Sequence, residues 1–235
     1  MTDPVPTGCA PVDDLLGGGF ERGVVTQLYG PPAAGKTNLA LAAAVEVAIT
    51  DDRALYIDTE GLSIDRFRQM AETRIETAGD ELTVEDLAGR LIITEAYDFE
   101  DQREAARDAE EFAADVELIV LDSATGFYRL ERADDTEGGE SLREVTNQVT
   151  HLLSLARRHE LAVVVTNQVF SDPESDRTRG LGGNTLEHWT GTILRVDRFR
   201  GGNRRATLEK HRSKAAGDSA TFRIVDAGLA AGSDR

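Results

Sequence analysis

The chain has one cysteine, Cys9, in 235 residues. That excludes an intrachain disulfide and any metal site built from thiolates, and leaves Cys9 as a buried or inert thiol. Lysine is almost as scarce: Lys36, Lys210 and Lys214 are the only three, so arginine carries nearly all the positive charge. No apolar run is long enough to span a membrane. The opening residues Met1-Thr2-Asp3-Pro4 lack the basic and apolar lead of a secretory signal. Together these absences predict a cytoplasmic protein with no membrane partner. No internal repeat and no Pro/Gly/Ser-rich linker divides the chain. Residues 1–235 therefore read as one domain, large enough to bury a core without staples. Residues 1–20 form a short lead-in segment and residues 227–235 a frayed tail.

The charge balance is strongly acidic, with a formal net charge of −17. An acid-rich, lysine-poor surface resembles those of salt-adapted (halophilic) cytoplasmic proteins, in which high salt screens self-repulsion. The acidity is thus read as an adaptation to solvent rather than the mark of a basic partner. It is also uneven. Residues 176–214 hold ten Arg or Lys against four acids: Asp176, Glu187, Asp197 and Glu209. Such a segment is a candidate anion or nucleic-acid surface, or equally a solvated arginine face.

What the chain does contain centres on Gly30-Pro31-Pro32-Ala33-Ala34-Gly35-Lys36-Thr37, a G-x-x-x-x-G-K-T phosphate-binding loop. The β-branched run 24–29 before it predicts a buried strand, and the Ala/Leu/Val-rich run 39–49 after it a buried helix. In that setting the glycines let backbone N–H groups turn around phosphate oxygens, and the helix N-terminus adds partial positive charge. Lys36, expected in an exposed loop, would reach the β- and γ-phosphates. The Thr37 hydroxyl would ligate Mg²⁺, and Asn38 completes the nucleotide-binding set.

Strand 53–58 ends in Asp58-Thr59-Glu60-Gly61. A carboxylate just past a strand end lies at the ligand edge of a parallel sheet, where Glu60 could polarise the water that attacks a γ-phosphate; the alternative is a surface turn acid. A helix is predicted over 64–78, an acidic exposed segment over 79–89, a strand over 91–94 and a charged helix over 99–114. The run Leu118-Ile119-Val120-Leu121-Asp122 predicts a strand buried on both faces, its terminal Asp122 holding the Mg²⁺ shell through water. Residues 133–140 are polar and acidic and read as a loop, and 142–158 as a helix. Strand 161–166 ends in Asn167-Gln168, where Gln168 either senses the γ-phosphate or caps the strand. Residues 171–185 read as a flexible loop with Arg177, Arg179, Gly182 and Gly183. Short strands over 190–196, 205–209 and 221–225 follow, the first two joined by a turn at Gly201-Gly202-Asn203.

These anchors, in this order and over nearly the whole chain, resemble the RecA/RadA recombinase family. The motifs are residues 30–37, Asp58-Thr59-Glu60-Gly61, Leu118 to Asp122 with Ser123, Thr166-Asn167-Gln168-Val169 and Gly182-Gly183-Asn184. The resemblance implies a RecA-like P-loop ATPase core. That is an α/β fold with a mostly parallel central β-sheet, helices on both faces and short C-terminal antiparallel strands. The core begins at Thr7, so the N-terminal helical domain and Phe-x-x-Ala polymerisation motif of true recombinases are expected to be missing. The chain is therefore most similar to the archaeal paralogues of that family.

The resemblance puts Glu60 at the catalytic glutamate, Gln168 at the switch glutamine, Asp122 at the metal-shell aspartate and Arg66 near an adenine-stacking arginine, one residue out of register. It puts Arg129 at the start of the first DNA-binding loop, and Arg177, Arg179, Gly182, Gly183 and Asn184 in the second. His211-Arg212-Ser213-Lys214 departs from the family's Asp-Ser-Pro stretch, which caps the ATP of a neighbouring subunit. The implied cofactors are ATP and Mg²⁺. The implied partners are single-stranded or branched DNA and the main RadA-type recombinase. The implied role is an accessory protein of homologous recombination and DNA repair, with weak ATPase activity and little or no strand exchange of its own. The alternative is a KaiC-like signalling ATPase without a DNA role. Its paired glutamates after the second strand are not matched here, since Gly61 follows Glu60.

Overall fold

The computed structural model describes residues 3–79, 81–127, 139–171 and 178–232. Four apolar runs are buried at every position: β1 (Val25–Tyr29), β2 (Ala54–Asp58), β4 (Leu118–Asp122) and β5 (Ala162–Asn167). A strand with no polar face can be satisfied only inside a sheet covered on both sides. β3 (Leu91–Glu95) is only partly buried and takes an edge. The four later strands are β8 (Thr192–Arg198), β9 (Asn203–Lys210), β10 (Ser219–Val225) and β11 (Gly228–Ala231). The nine-stranded sheet has the order β11-β10-β9-β8-β1-β5-β4-β2-β3. It is parallel from β3 through β8 and antiparallel from β8 to β11.

Helices cover both faces. On one side lie α1 (Ala10–Leu16), α2 (Lys36–Ile49), α3 (Ile64–Ala78) and α4 (Val84–Gly89), packed on Tyr56, Val120 and Val164. On the other lie α5 (Phe99–Asp108) and α6 (Glu140–His159), packed on Ile57, Ile119 and Val163. The alternation of neighbours along each strand sorts these residues to their two sides. α2 is rich in alanine, the strongest helix former, and is buried almost all round.

Register makes the site. Asp58 pairs with Asp122 across β2 and β4, and Tyr29 with Asn167 across β1 and β5. The motif-bearing strand ends therefore finish level along one edge of the sheet.

Four sequence expectations change. The helix predicted over 99–114 stops at Asp108 and tightens into a 3₁₀ turn, Ala109–Glu111. The exposed segment 79–89 contains α4, started by a Thr83/Asp86 capping box and anchored by buried Leu87. The loop 171–185 contains regular structure. β6 (Val169–Ser171) pairs antiparallel with β7 (Thr178–Gly180), and α7 (Gly183–Trp189) follows. Residues 228–231, read as part of a frayed tail, form β11 instead. Ala231 pairs with the fully buried Phe222, and the Arg66 guanidinium donates to the carbonyls of Val225, Asp226 and Gly228 at the preceding turn.

Candidate functional site

The loop between β1 and α2 is shaped by close approach. A Cβ on Gly30 would lie 2.0 Å from the Val196 carbonyl oxygen, so only glycine lets the chain leave β1 beside β8. Gly35 takes φ +112 at the start of α2. Lys36 is buried, against the expectation of an exposed loop residue. Its stem lies across the loop, and Nζ donates to the carbonyls of Gly30 (3.0 Å) and Pro31 (3.3 Å). Burial pulls its ammonium below the usual lysine range, while Glu60 and Asp122 push the other way. A cation held by two carbonyls at the mouth of a phosphate loop is ready to exchange them for phosphate oxygens.

Asp122 is 2% exposed. Tyr56 donates its hydroxyl to Oδ2 at 2.6 Å and Thr166 donates to Oδ1, and the Thr37 hydroxyl is near enough to favour the carboxylate. Burial raises the pKa of Asp122, and donation from Thr166, Tyr56 and Thr37 lowers it. A buried acid beside one hydroxyl suits Mg²⁺, which takes oxygen ligands, keeps most of its waters and needs few protein groups. Among the described residues there is no cluster of three or more His, Cys, Asp or Glu that could hold a metal. Thr37 and Asp122 offer oxygen donors of the kind Mg²⁺ takes.

Glu60 is exposed at the same edge. Its position is set by Asp58, a buried residue of the same motif that carried no role of its own in the sequence. Asp58 accepts from the backbone N–H groups of Glu60 (3.1 Å), Gly61 (3.0 Å) and Leu62, and so shapes the turn after β2. Gln168 donates its side-chain amide to Glu60 Oε1 at 3.2 Å. The bond is exposed and worth about 1 kcal/mol, weak enough to break when a ligand arrives.

Gln168 is also tied on its other side. Its carbonyl accepts from the Leu181 N–H at 2.9 Å, and its N–H donates to Thr125 Oγ1 at 3.3 Å. Thr125 in turn donates to Asn167 Oδ1 (2.8 Å), and Asn167 donates to the Leu181 carbonyl (2.8 Å). One buried lattice therefore joins the end of β5 to the segment leaving the β6–β7 hairpin. Thr125 and Tyr56 were missed as site residues, and Thr166 and Asn167, quoted within a motif, were given no role of their own. The available signal was a polar residue at the end of an otherwise apolar strand, which must find a partner when buried.

Arg66 does sit near the phosphate loop, but its donors are committed. Nε donates to Asn38 Oδ1 at 2.8 Å, and the two Nη groups to Gln69 and to the β10–β11 turn. It clamps that turn to α2 and α3. Gly182 and Gly183 open α7 at φ +84 and +47, and a Cβ on Gly182 would lie 2.7 Å from Leu186 Cδ1. Asn184 is in the first turn of that helix. Arg179 belongs to β7. Arg129 and Arg177 lie outside the described residues.

Three comparisons bear on this geometry. The Rad51 family model matches residues 4–231. A protein of Halobacterium salinarum named DNA repair and recombination protein RadB is 59% identical over 97% of this chain and 95% of its own length. A protein of the same name from Archaeoglobus fulgidus is 41% identical over 96% of this chain and 97% of its own. Among solved structures, one titled as the crystal structure of the RadB recombinase superimposes with a TM-score of 0.81 at 36% identity. It covers 97% of this chain and 100% of the other.

Proposed function

The chain belongs to the Rad51 family, and from that premise we propose that it is an ATP-binding, DNA-binding accessory protein of recombination and repair that hydrolyses ATP slowly. The observation that carries the reading is the position of Gln168. It bonds on one side to Glu60, at the expected γ-phosphate, and on the other to Leu181, at the base of the β6–β7 hairpin. A ligand that draws Glu60 away from Gln168 therefore acts on the segment where the family's second DNA loop falls.

In this reading the loop backbone and Lys36 bind the phosphates, and Thr37 and Asp122 hold Mg²⁺. When bound, the ion neutralises charge between phosphate oxygens. Glu60 orients the attacking water and takes its proton. Arg66 and Asn38 close the far side of the site by holding the β10–β11 turn. Turnover is slow because RecA-like sites are completed across a subunit interface, and the cations of His211-Arg212-Ser213-Lys214 stand where a neighbour's carboxylate would cap ATP. The acidic surface supports a cytoplasmic protein that works in high salt. The similarity to proteins named for recombination supports this reading over a KaiC-like signalling ATPase, and a RadA-type recombinase is the partner it would assist.

DNA would bind through a local concentration of arginine, because the −17 net charge repels a polyanion at long range. Arg179, in β7, and Arg177, two residues before it in the sequence, are the first candidates, with Arg129 in the stretch that resembles the family's first DNA loop. Replacing Arg177 and Arg179 with Ala should weaken single-stranded DNA binding alike for unrelated sequences. It should also flatten the salt dependence by about one phosphate contact each. Wild-type affinity and salt slope in the double variant would remove this segment from the DNA site.

A further inference from the structure

A basic cavity of about 270 Å³ opens where α6, α7 and β9 end, lined by Arg157, His188, Trp189, Lys210, His211 and Arg212. Leu153 and Thr190, both buried, form its floor. It lies at the edge of the sheet away from the phosphate loop. Gly191, just before β8, lines the cavity, whereas Gly30 packs against Val196 near the other end of that strand. Among the described residues no carboxylate lines it, in a chain whose net charge is −17.

The cations here have donors to spare. Lys210 is partly buried, and its Nζ donates to the Glu187 carbonyl at 2.6 Å. An ammonium has three N–H groups, so donors remain for a ligand. Arg212 reaches Glu21 only at 4.0 Å, with both side chains about half exposed. Arg158 turns to Glu110, whereas its neighbour Arg157 lines the cavity. Burial holds the His211 imidazolium below the usual histidine range, so at neutral pH the charge comes from Arg157, Lys210 and Arg212. α6 and α7 both end here, and a helix end carries about half a negative charge. Three full cations outweigh two such ends. A partly buried ammonium held by a carbonyl alone is costly, so the cavity favours an anion.

Size and surface narrow the ligand. Ligand pockets run upward from about 300 Å³, so this one takes a single unit of a polymer rather than a run of them. Trp189 is the chain's only tryptophan and is 39% exposed. Its ring meets that of His188 at 87°, with centroids 5.0 Å apart. An exposed indole beside arginines is a platform on which a nucleic-acid base stacks. A terminal phosphate carries about 1.5–2 negative charges at neutral pH, more than an internal phosphodiester does. We propose that this cavity holds the phosphorylated end of a DNA strand, with the phosphate on Arg157, Lys210 and Arg212 and the terminal base on Trp189. The proposal rests on the reading of the chain as a DNA-binding protein, but not on the arginines at the β6–β7 hairpin.

Because no other tryptophan is present, the fluorescence of Trp189 reads occupancy directly. The full chain, without ATP and at one fixed salt, is titrated with a thymidine trinucleotide phosphorylated at its 5′ or its 3′ end, and with the same trinucleotide bearing hydroxyls at both. Inorganic phosphate and a hexaglutamate peptide are titrated in parallel. A phosphorylated trinucleotide should quench Trp189 with an affinity at least about tenfold above that of the hydroxyl form and of either control. Arg157→Gln and Arg212→Gln, on different elements and both exposed, should each remove most of that preference. Arg179→Ala should keep it, so failure of the hairpin as a DNA segment and failure of this cavity are read separately. Equal affinity for phosphorylated and hydroxyl forms would overturn the proposal. So would phosphate or hexaglutamate binding as tightly as the phosphorylated trinucleotide, or a wild-type preference in both glutamine variants.

Discussion

Replacing Tyr56 with phenylalanine removes one hydroxyl from the centre of the site and leaves its shape intact. Tyr56 is fully buried, and its hydroxyl donates at 2.6 Å to an Asp122 carboxylate that is itself 2% exposed. A hydrogen bond to a charged group contributes about 1.5–3 kcal/mol. Part of that is offset because the phenyl ring brings no hydroxyl to desolvate, so the net loss should be about 2 kcal/mol. For a domain of this length about 2–4 °C of Tm follows each kcal/mol, which gives a fall of about 4–8 °C.

The loss should depend on pH with a definite sign. Burial holds the Asp122 carboxyl above the usual value of 3.8, so the native state binds that proton more tightly than the unfolded chain does. Its contribution to stability is therefore full below 3.8 and is lost as pH rises through the native value. Without the Tyr56 donor the native value moves higher still. The penalty of Tyr56→Phe should be largest at neutral pH and should shrink as pH falls through the native pKa of Asp122. Thermal unfolding followed by circular dichroism, at fixed salt and two or more pH values, reads both effects. An unchanged Tm at neutral pH, or a penalty that grows on acidification, would refute the reasoning.

Gly30→Ala places a Cβ 2.0 Å from the Val196 carbonyl. Overpacking against backbone should cost at least ~2 kcal/mol, visible as a Tm drop of about 4 °C or more and as weakened nucleotide binding. Lys36→Ala should leave the fold intact and abolish or greatly weaken ATP binding by calorimetry; equal affinity in variant and wild type would sink the loop's assignment. Glu60→Gln should still bind ATP but lose what hydrolysis there is, in a phosphate-release assay. Gln168→Ala should keep ATP affinity within about twofold, since its bond to Glu60 is an exposed one. It should nonetheless uncouple DNA affinity from ATP in a titration at constant salt.

Much of the site was legible because its residues end strands. A run of apolar residues closing on Asp122 or on Asn167-Gln168 announces both a buried strand and its ligand edge, and the P-loop supplies the order. What could not be read was register. Tyr56 looks like an ordinary strand aromatic until β2 and β4 are aligned so that Asp58 faces Asp122. Then Tyr56 and Asp122, two positions apart, fall on one face toward α2. Thr166 likewise becomes a partner of Asp122 only when Val165 is opposite Leu121. The burial of Lys36 was missed for a different reason. A lysine stem can lie along apolar surface while its ammonium finds carbonyls, and composition alone does not show which carbonyls are near. The strand at residues 228–231 was missed because Arg66, 162 residues before Gly228, supplies the bonds that hold its turn.

The central claim is that one site takes Mg–ATP and passes its occupancy to a DNA-binding segment through Gln168. It is tested most directly by measuring single-stranded DNA affinity of the full chain with and without Mg–ATP at one fixed high salt, beside ATP turnover in the same samples. The account predicts DNA binding that changes with Mg–ATP while turnover stays slow. DNA affinity indifferent to nucleotide, or no DNA binding at any salt, would contradict it.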